Sequence, residues 1–95
     1  SRDLLHKYSG SVEKTKEVLE VFIKAYTEIK DWDVQNIESV SHDILKKHNY
    51  SPKEAFMTLR MAAPGEKAPP PLFDIFNLLG KEETIFRLEA ALKDC

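Results

Sequence analysis

Cysteine is all but missing from these 95 residues, with one, Cys95, at the final position. No intramolecular disulfide can form, which suits a reducing compartment and a cytoplasmic setting. His6, His42 and His48 are scattered and have no cysteine at ligand spacing, which argues against a structural zinc site. Glycine is scarce too: Gly10, Gly65 and Gly80 stand alone, and none belongs to a phosphate-cradling loop. No serine lies in a nucleophile-elbow setting, and Cys95 has no fixed base to activate it. Carboxylate pairs such as Glu13/Glu17 and Glu82/Glu83 read as solvated helix faces. No catalytic and no metal-ligating residue is therefore assigned. No apolar run approaches the roughly 20 residues of a membrane span. The opening Ser1-Arg2-Asp3-Leu4-Leu5 has no signal-peptide pattern and no initiator Met, so we read the chain as an excised piece of a longer protein. A basic surplus is also lacking. Fourteen Lys plus Arg against sixteen Asp plus Glu leave a net charge of −2. That disfavours a smeared electrostatic grip on nucleic acid, DNA included, but not a grip by a few placed side chains.

What is present is helical. Ninety-five residues suit one domain, 1–95, with one core. Strand-like alternation is absent, and the expectation is an all-α compact bundle of five or six helices. After a leading turn at residues 3–6, Ser11 is the N-cap of a helix running to Lys30. Its apolar positions, among them Val18, Leu19, Phe22 and Tyr26, cover so wide an arc that it should be central. Asp33 caps the next helix, with Trp32 and Ile37 at hydrophobic-staple spacing. The Lys46-Lys47-His48 cluster suits that helix's C-terminal dipole, and Asn49 suits the left-handed stop. His42 reads as a surface position. Ser51-Pro52-Lys53-Glu54 is the sharpest local signal, an N-cap, a proline at N1 and a capping-box glutamate. The helix it starts should bury Ala55, Phe56, Leu59, Ala62 and Ala63 and carry Arg60 at the border of that stripe. Leu72 to Leu79, closed by Gly80, forms a short helix, and Glu82 to Lys93 the last.

The segment from Leu59 to Phe73 carries the remaining chemistry. Pro64-Gly65 ends one helix, and Pro69-Pro70-Pro71 leads into the next. Prolines restrict the loop before anything binds. Two readings fit. In one, the prolines only stop one helix and start another, and Arg60 is a border residue. In the other, Pro70, Leu72 and Phe73 offer an apolar rim to an unstacked base, with the Arg60 guanidinium toward its edge acceptors.

The strings Leu59-Arg60-Met61-Ala62-Ala63-Pro64-Gly65, Pro70-Pro71-Leu72-Phe73, Leu78-Leu79-Gly80-Lys81-Glu82 and Arg87-Leu88 resemble the C-terminal anticodon-binding region of bacterial-type glutamyl-tRNA synthetases. The family pattern is Leu-Arg-x-Ala-Leu-Thr-Gly, then Pro-x-Leu-Phe, Leu-Leu-Gly-Lys-Glu and Arg-Leu. The resemblance is specific over Leu59–Leu88 and general elsewhere. It implies a helical anticodon-binding cage in a class I enzyme that uses ATP and magnesium to join glutamate to tRNA, with the catalytic part and both cofactors outside this chain. It also implies that Arg60, Pro69, Pro70, Leu72 and Phe73 contact anticodon bases. Ala63 and Pro64 depart from the usual Leu-Thr. The expected partner is the tRNA anticodon loop and the expected state a monomer. The alternatives are the equivalent domain of a class I lysyl-tRNA synthetase and a helical protein-interaction module.

Overall fold

The computed structural model describes residues 10–63 and 71–95. Within them five helices and no strand are present: α1 Val12–Thr27, α2 Val34–His48, α3 Pro52–Ala62, α4 Leu72–Leu79 and α5 Lys81–Asp94. The leading turn expected at residues 3–6 lies outside the described residues.

Each of the first three helices begins where a side chain can satisfy an orphan amide. Ser11 Oγ accepts from the Lys14 N–H at 3.0 Å, Asp33 Oδ1 from Asn36 at 2.8 Å and Ser51 Oγ from Glu54 at 3.4 Å. Asn49 closes α2 at φ 56°, ψ 43°, the left-handed stop. α4 and α5 are joined through Gly80, at φ 88°, ψ 161°. That combination is nearly closed to a residue with a Cβ, so the sharp corner requires glycine.

α1 is the central element, packed by α2, α3 and α5. Its wide apolar arc buries Val18, Leu19, Phe22 and Tyr26, with Thr15 among them. Tyr26 is the hub. Its ring meets Phe22, Trp32 and Phe76 edge-on at centroid distances of 5.6, 5.6 and 5.9 Å. Its hydroxyl lies 2.7 Å from Ser41 Oγ, and Ser41 donates its own proton to the Ile37 carbonyl at 2.7 Å. A serine hydroxyl has one proton, so Tyr26 is the donor of the pair. Burial pushes the Tyr26 phenol well above the ordinary tyrosine range.

Trp32 joins this core by an indole N–H donated to the Phe76 carbonyl at 3.0 Å. Gly80 N–H and Thr84 Oγ1 donate to the same oxygen at 3.0 and 3.2 Å. The end of α4 is thereby tied to the α1–α2 turn and to the first turn of α5. Lys81 Nζ adds a bond to the Ile29 carbonyl at 2.6 Å. Away from this end, Glu17 is exposed, yet it accepts a hydrogen bond from the Tyr50 hydroxyl and so is more than a solvated position.

Candidate nucleic-acid interface

α3 exists because Ser51 and Pro52 start it, and its register follows from Ala55, Thr58 and Leu59, which are buried. Phe56 and Arg60 are four residues apart, on one face of the helix. Both are half-buried. Arg60 therefore lies at the edge of the core stripe, as the helical spacing requires. The other end of α3 is held by Arg87. Its Nη1 donates to the Ala63 carbonyl at 3.2 Å, and its Nε pairs with Glu83 at 2.7 Å. Arg87 thereby fastens α5 to the C-terminal end of α3.

α4 begins after Pro71, whose φ of −56° and ψ of 150° are extended and whose side chain is exposed. A preceding proline leaves the first turn of α4 without a side-chain cap. The next two residues then divide. Leu72 turns inward and is 5% exposed, a member of the core. Phe73 stays half-buried at the surface. The apolar rim drawn from the sequence is thus split, because successive helical residues point about 100° apart and only one of the pair can face out. Pro69 and Pro70 lie outside the described residues.

Phe73 is not alone. Its ring meets Phe56 of α3 edge-on at 5.4 Å and His42 of α2 at 6.3 Å, and His42 meets Phe56 at 5.7 Å. Three helices thus contribute one ring each to a single cluster. The His42 side chain remains 51% exposed, with Nε2 3.8 Å from Glu38. Sequence reasoning placed Phe56 in the core and His42 on a plain surface. The only local signal was that Phe56 and Arg60 share a helix face.

Glu38 beside the cluster makes phosphate an unsuitable neighbour, whereas a neutral, flat, apolar group suits the rings. Among the described residues, no three His, Cys, Asp or Glu side chains converge to hold a metal ion. No described helix is long and apolar enough to cross a membrane.

Residues 3–92 match the family described as the anticodon binding domain. The chain belongs to that family. The anticodon-binding domain is similar to a glutamate–tRNA ligase 2 of Fervidobacterium nodosum, 29% identical over 97% of this chain and 20% of that protein. It is similar to the glutamate–tRNA ligase 2 of Thermosipho melanesiensis, at 30% identity over 83% of the chain and 17% of the relative. A glutamate–tRNA ligase of Mycobacterium tuberculosis is 36% identical over 78% of the chain and 15% of its own length. The anticodon-binding domain thus spans a fifth or less of these curated relatives. No solved structure matches it significantly.

Proposed function

We propose that this anticodon-binding domain reads the tRNA anticodon for a glutamate–tRNA ligase, and that the ATP- and magnesium-dependent joining of glutamate to tRNA is carried out by a separate part of that enzyme. The observation that carries the reading is the alignment of 97% of the chain with part of a protein of that activity. It is supported by a ring cluster that joins α2, α3 and α4 and by Arg60, which shares a face of α3 with Phe56.

In this reading the anticodon bases leave their stack and are held in the region of Phe73, Pro69 and Pro70. Arg60 donates to the acceptors on a base edge. Leu72 acts from beneath: its burial fixes the start of α4, so that Phe73 and the exposed Pro71 are presented rigidly. Base–aromatic stacking contributes about 1–3 kcal/mol per base, and a bidentate arginine a similar amount. A few such contacts select an anticodon without any basic surplus. The enzyme is a cytoplasmic monomer in this reading, with neither DNA nor membrane as partner.

The test is charging of glutamate tRNA by the full-length protein that carries this chain. Arg60→Ala should lower kcat/KM through KM, and the loss should be smaller on tRNAs whose anticodon is already wrong. An unchanged kcat/KM for the cognate tRNA overturns the role of Arg60. A second reading, a helical protein-interaction module, draws on Leu78 and Phe86, which are 80% and 65% exposed. It gains if Leu78→Ser or Phe86→Ser abolishes a protein complex and leaves charging intact.

A further inference from the structure

The three-ring cluster lies partly outside the residues the proposed function uses. His42 and Phe56 belong to α2 and α3, far in sequence from the Pro-x-Leu-Phe string, yet both rings touch Phe73. The rings stand edge-on, with interplanar angles of 86° and 87° for the two pairs that include Phe56, and 64° for His42 with Phe73. In an edge-on pair the rim of one ring meets the face of the other, so each contact takes up one side of one ring and a ring exposed to solvent keeps its other side open. Of the three, His42 is the most open, since half of its side-chain surface meets solvent.

We infer that His42 is a further anticodon-reading residue, its imidazole face stacking on one unpaired base while Phe56 and Phe73 hold the ring upright. This rests on the proposed reading of tRNA. The surrounding charges select the occupant. Glu38 lies 3.8 Å from the imidazole Nε2 and the exposed Asp43 follows His42 in the chain, so a phosphate would be repelled where a neutral base is not. Arg60 lies one turn along α3 from Phe56, on the same helix face. Stacking on an aromatic or imidazole face is tolerant of base identity. His42 therefore adds grip on one anticodon position, and the discrimination between bases stays with the arginine and the loop.

The test uses the full-length protein that carries this chain and four tRNAs: intact glutamate tRNA, and versions made abasic at each anticodon position in turn, which keep every phosphate. On intact tRNA, His42→Ala should raise Kd and KM about 5- to 150-fold, the range that loss of one stacked base gives. His42→Phe should restore most of the affinity. At one of the abasic positions wild type and His42→Ala should bind equally, because the contact is already gone. A thermal melt within a degree or two of wild type shows that the fold is intact, as an exposed position allows. If His42→Ala binds intact tRNA like wild type while Arg60→Ala weakens it, this inference is wrong and the anticodon reading stands. A loss that is equal on all four tRNAs overturns stacking. Should wild type bind every abasic tRNA as tightly as the intact one, the anticodon reading itself fails, and this inference with it.

Discussion

Arg87 of α5 donates its Nη1–H to the carbonyl of Ala63, where α3 ends, at 3.2 Å. The last carbonyls of a helix have no partner within it, and a cation there also meets the negative end of the helix dipole. One guanidinium serves two ends, because its Nε also holds Glu83 at 2.7 Å. The Glu83 contact is an exposed i,i+4 pair of small value, so the Ala63 bond carries most of the effect. Arg87→Ala should cost about 1–2 kcal/mol, as loss of a charged donor to a carbonyl does. Arg87→Lys should recover little, since a flexible ammonium lacks the rigid planar fork that aims a donor at the Ala63 carbonyl. Urea unfolding followed by circular dichroism measures this, and an Arg87→Lys variant as stable as wild type refutes the need for a guanidinium there.

The Tyr26–Ser41 pair gives an asymmetric expectation. Tyr26→Phe removes the donor but leaves Ser41 bonded to Ile37, so the cost should be about 1 kcal/mol. Ser41→Ala instead strands the Tyr26 hydroxyl in a site that is 0% exposed, at about 1–3 kcal/mol. Adding Tyr26→Phe to Ser41→Ala should then restore stability, which a double-mutant cycle reads directly. The sign at alkaline pH follows from the raised phenol. Below the ordinary value near 10 both states keep the proton; above it the unfolded chain ionises while folded Tyr26 does not, so stability falls as pH rises. Tyr50 is raised as well, by burial first and then by the Glu17 hydrogen bond and charge. Tyr26→Phe should therefore make the fall above pH 10 shallower without abolishing it.

The three capped helix starts were legible because a cap and its amide lie three positions apart, which a linear string displays. The polar half of the core was not. Thr15, Ser41, Thr58 and Thr84 are all 0% exposed. Counting apolar periods overlooks them, yet Thr15, Ser41 and Thr58 each bond the carbonyl four residues back and so bury as if apolar. Thr84 finds the Phe76 carbonyl instead. At the interface the limit was register. In Leu72-Phe73-Asp74-Ile75-Phe76-Asn77-Leu78-Leu79 six of eight residues are apolar, so the string does not say which one faces out. The ring cluster was hidden for a different reason. His42 and Phe73 meet only through the packing of α2 on α4, a long-range contact with no local signature.

Gly80 isolates a purely conformational cost. A Cβ built there meets nothing within 4 Å, so there is room for a side chain, but φ is 88°. Gly80→Ala should destabilise by about 1–3 kcal/mol through backbone strain alone. D-alanine, introduced by peptide ligation, favours positive φ and should retain or raise stability. If L-alanine is tolerated like D-alanine in a thermal melt, the α4–α5 corner is not conformationally fixed at this residue.

Leu72 and Phe73 are neighbours in the string and opposites in the fold, and paired substitutions separate their roles. Leu72 is buried at the start of α4, so Leu72→Ala should cost about 2–5 kcal/mol, the range of leucine truncations in cores. Leu72→Met nearly conserves volume and should cost under about 1.5 kcal/mol. If Leu72 acts only by anchoring α4, Leu72→Met leaves KM for tRNA unchanged. A direct contact between Leu72 and a base would instead shift KM in this stable variant. Phe73→Leu keeps an apolar side chain against His42 and Phe56 but loses the flat ring, so its larger effect should fall on KM, with a smaller one on the melt. The ratio of the two effects is therefore the discriminating quantity: Leu72 variants move along the stability axis, and Phe73 variants along the tRNA axis. Equal movement of both residues along the stability axis alone would make α4 a structural helix and transfer the recognition of bases to Arg60 and the proline loop.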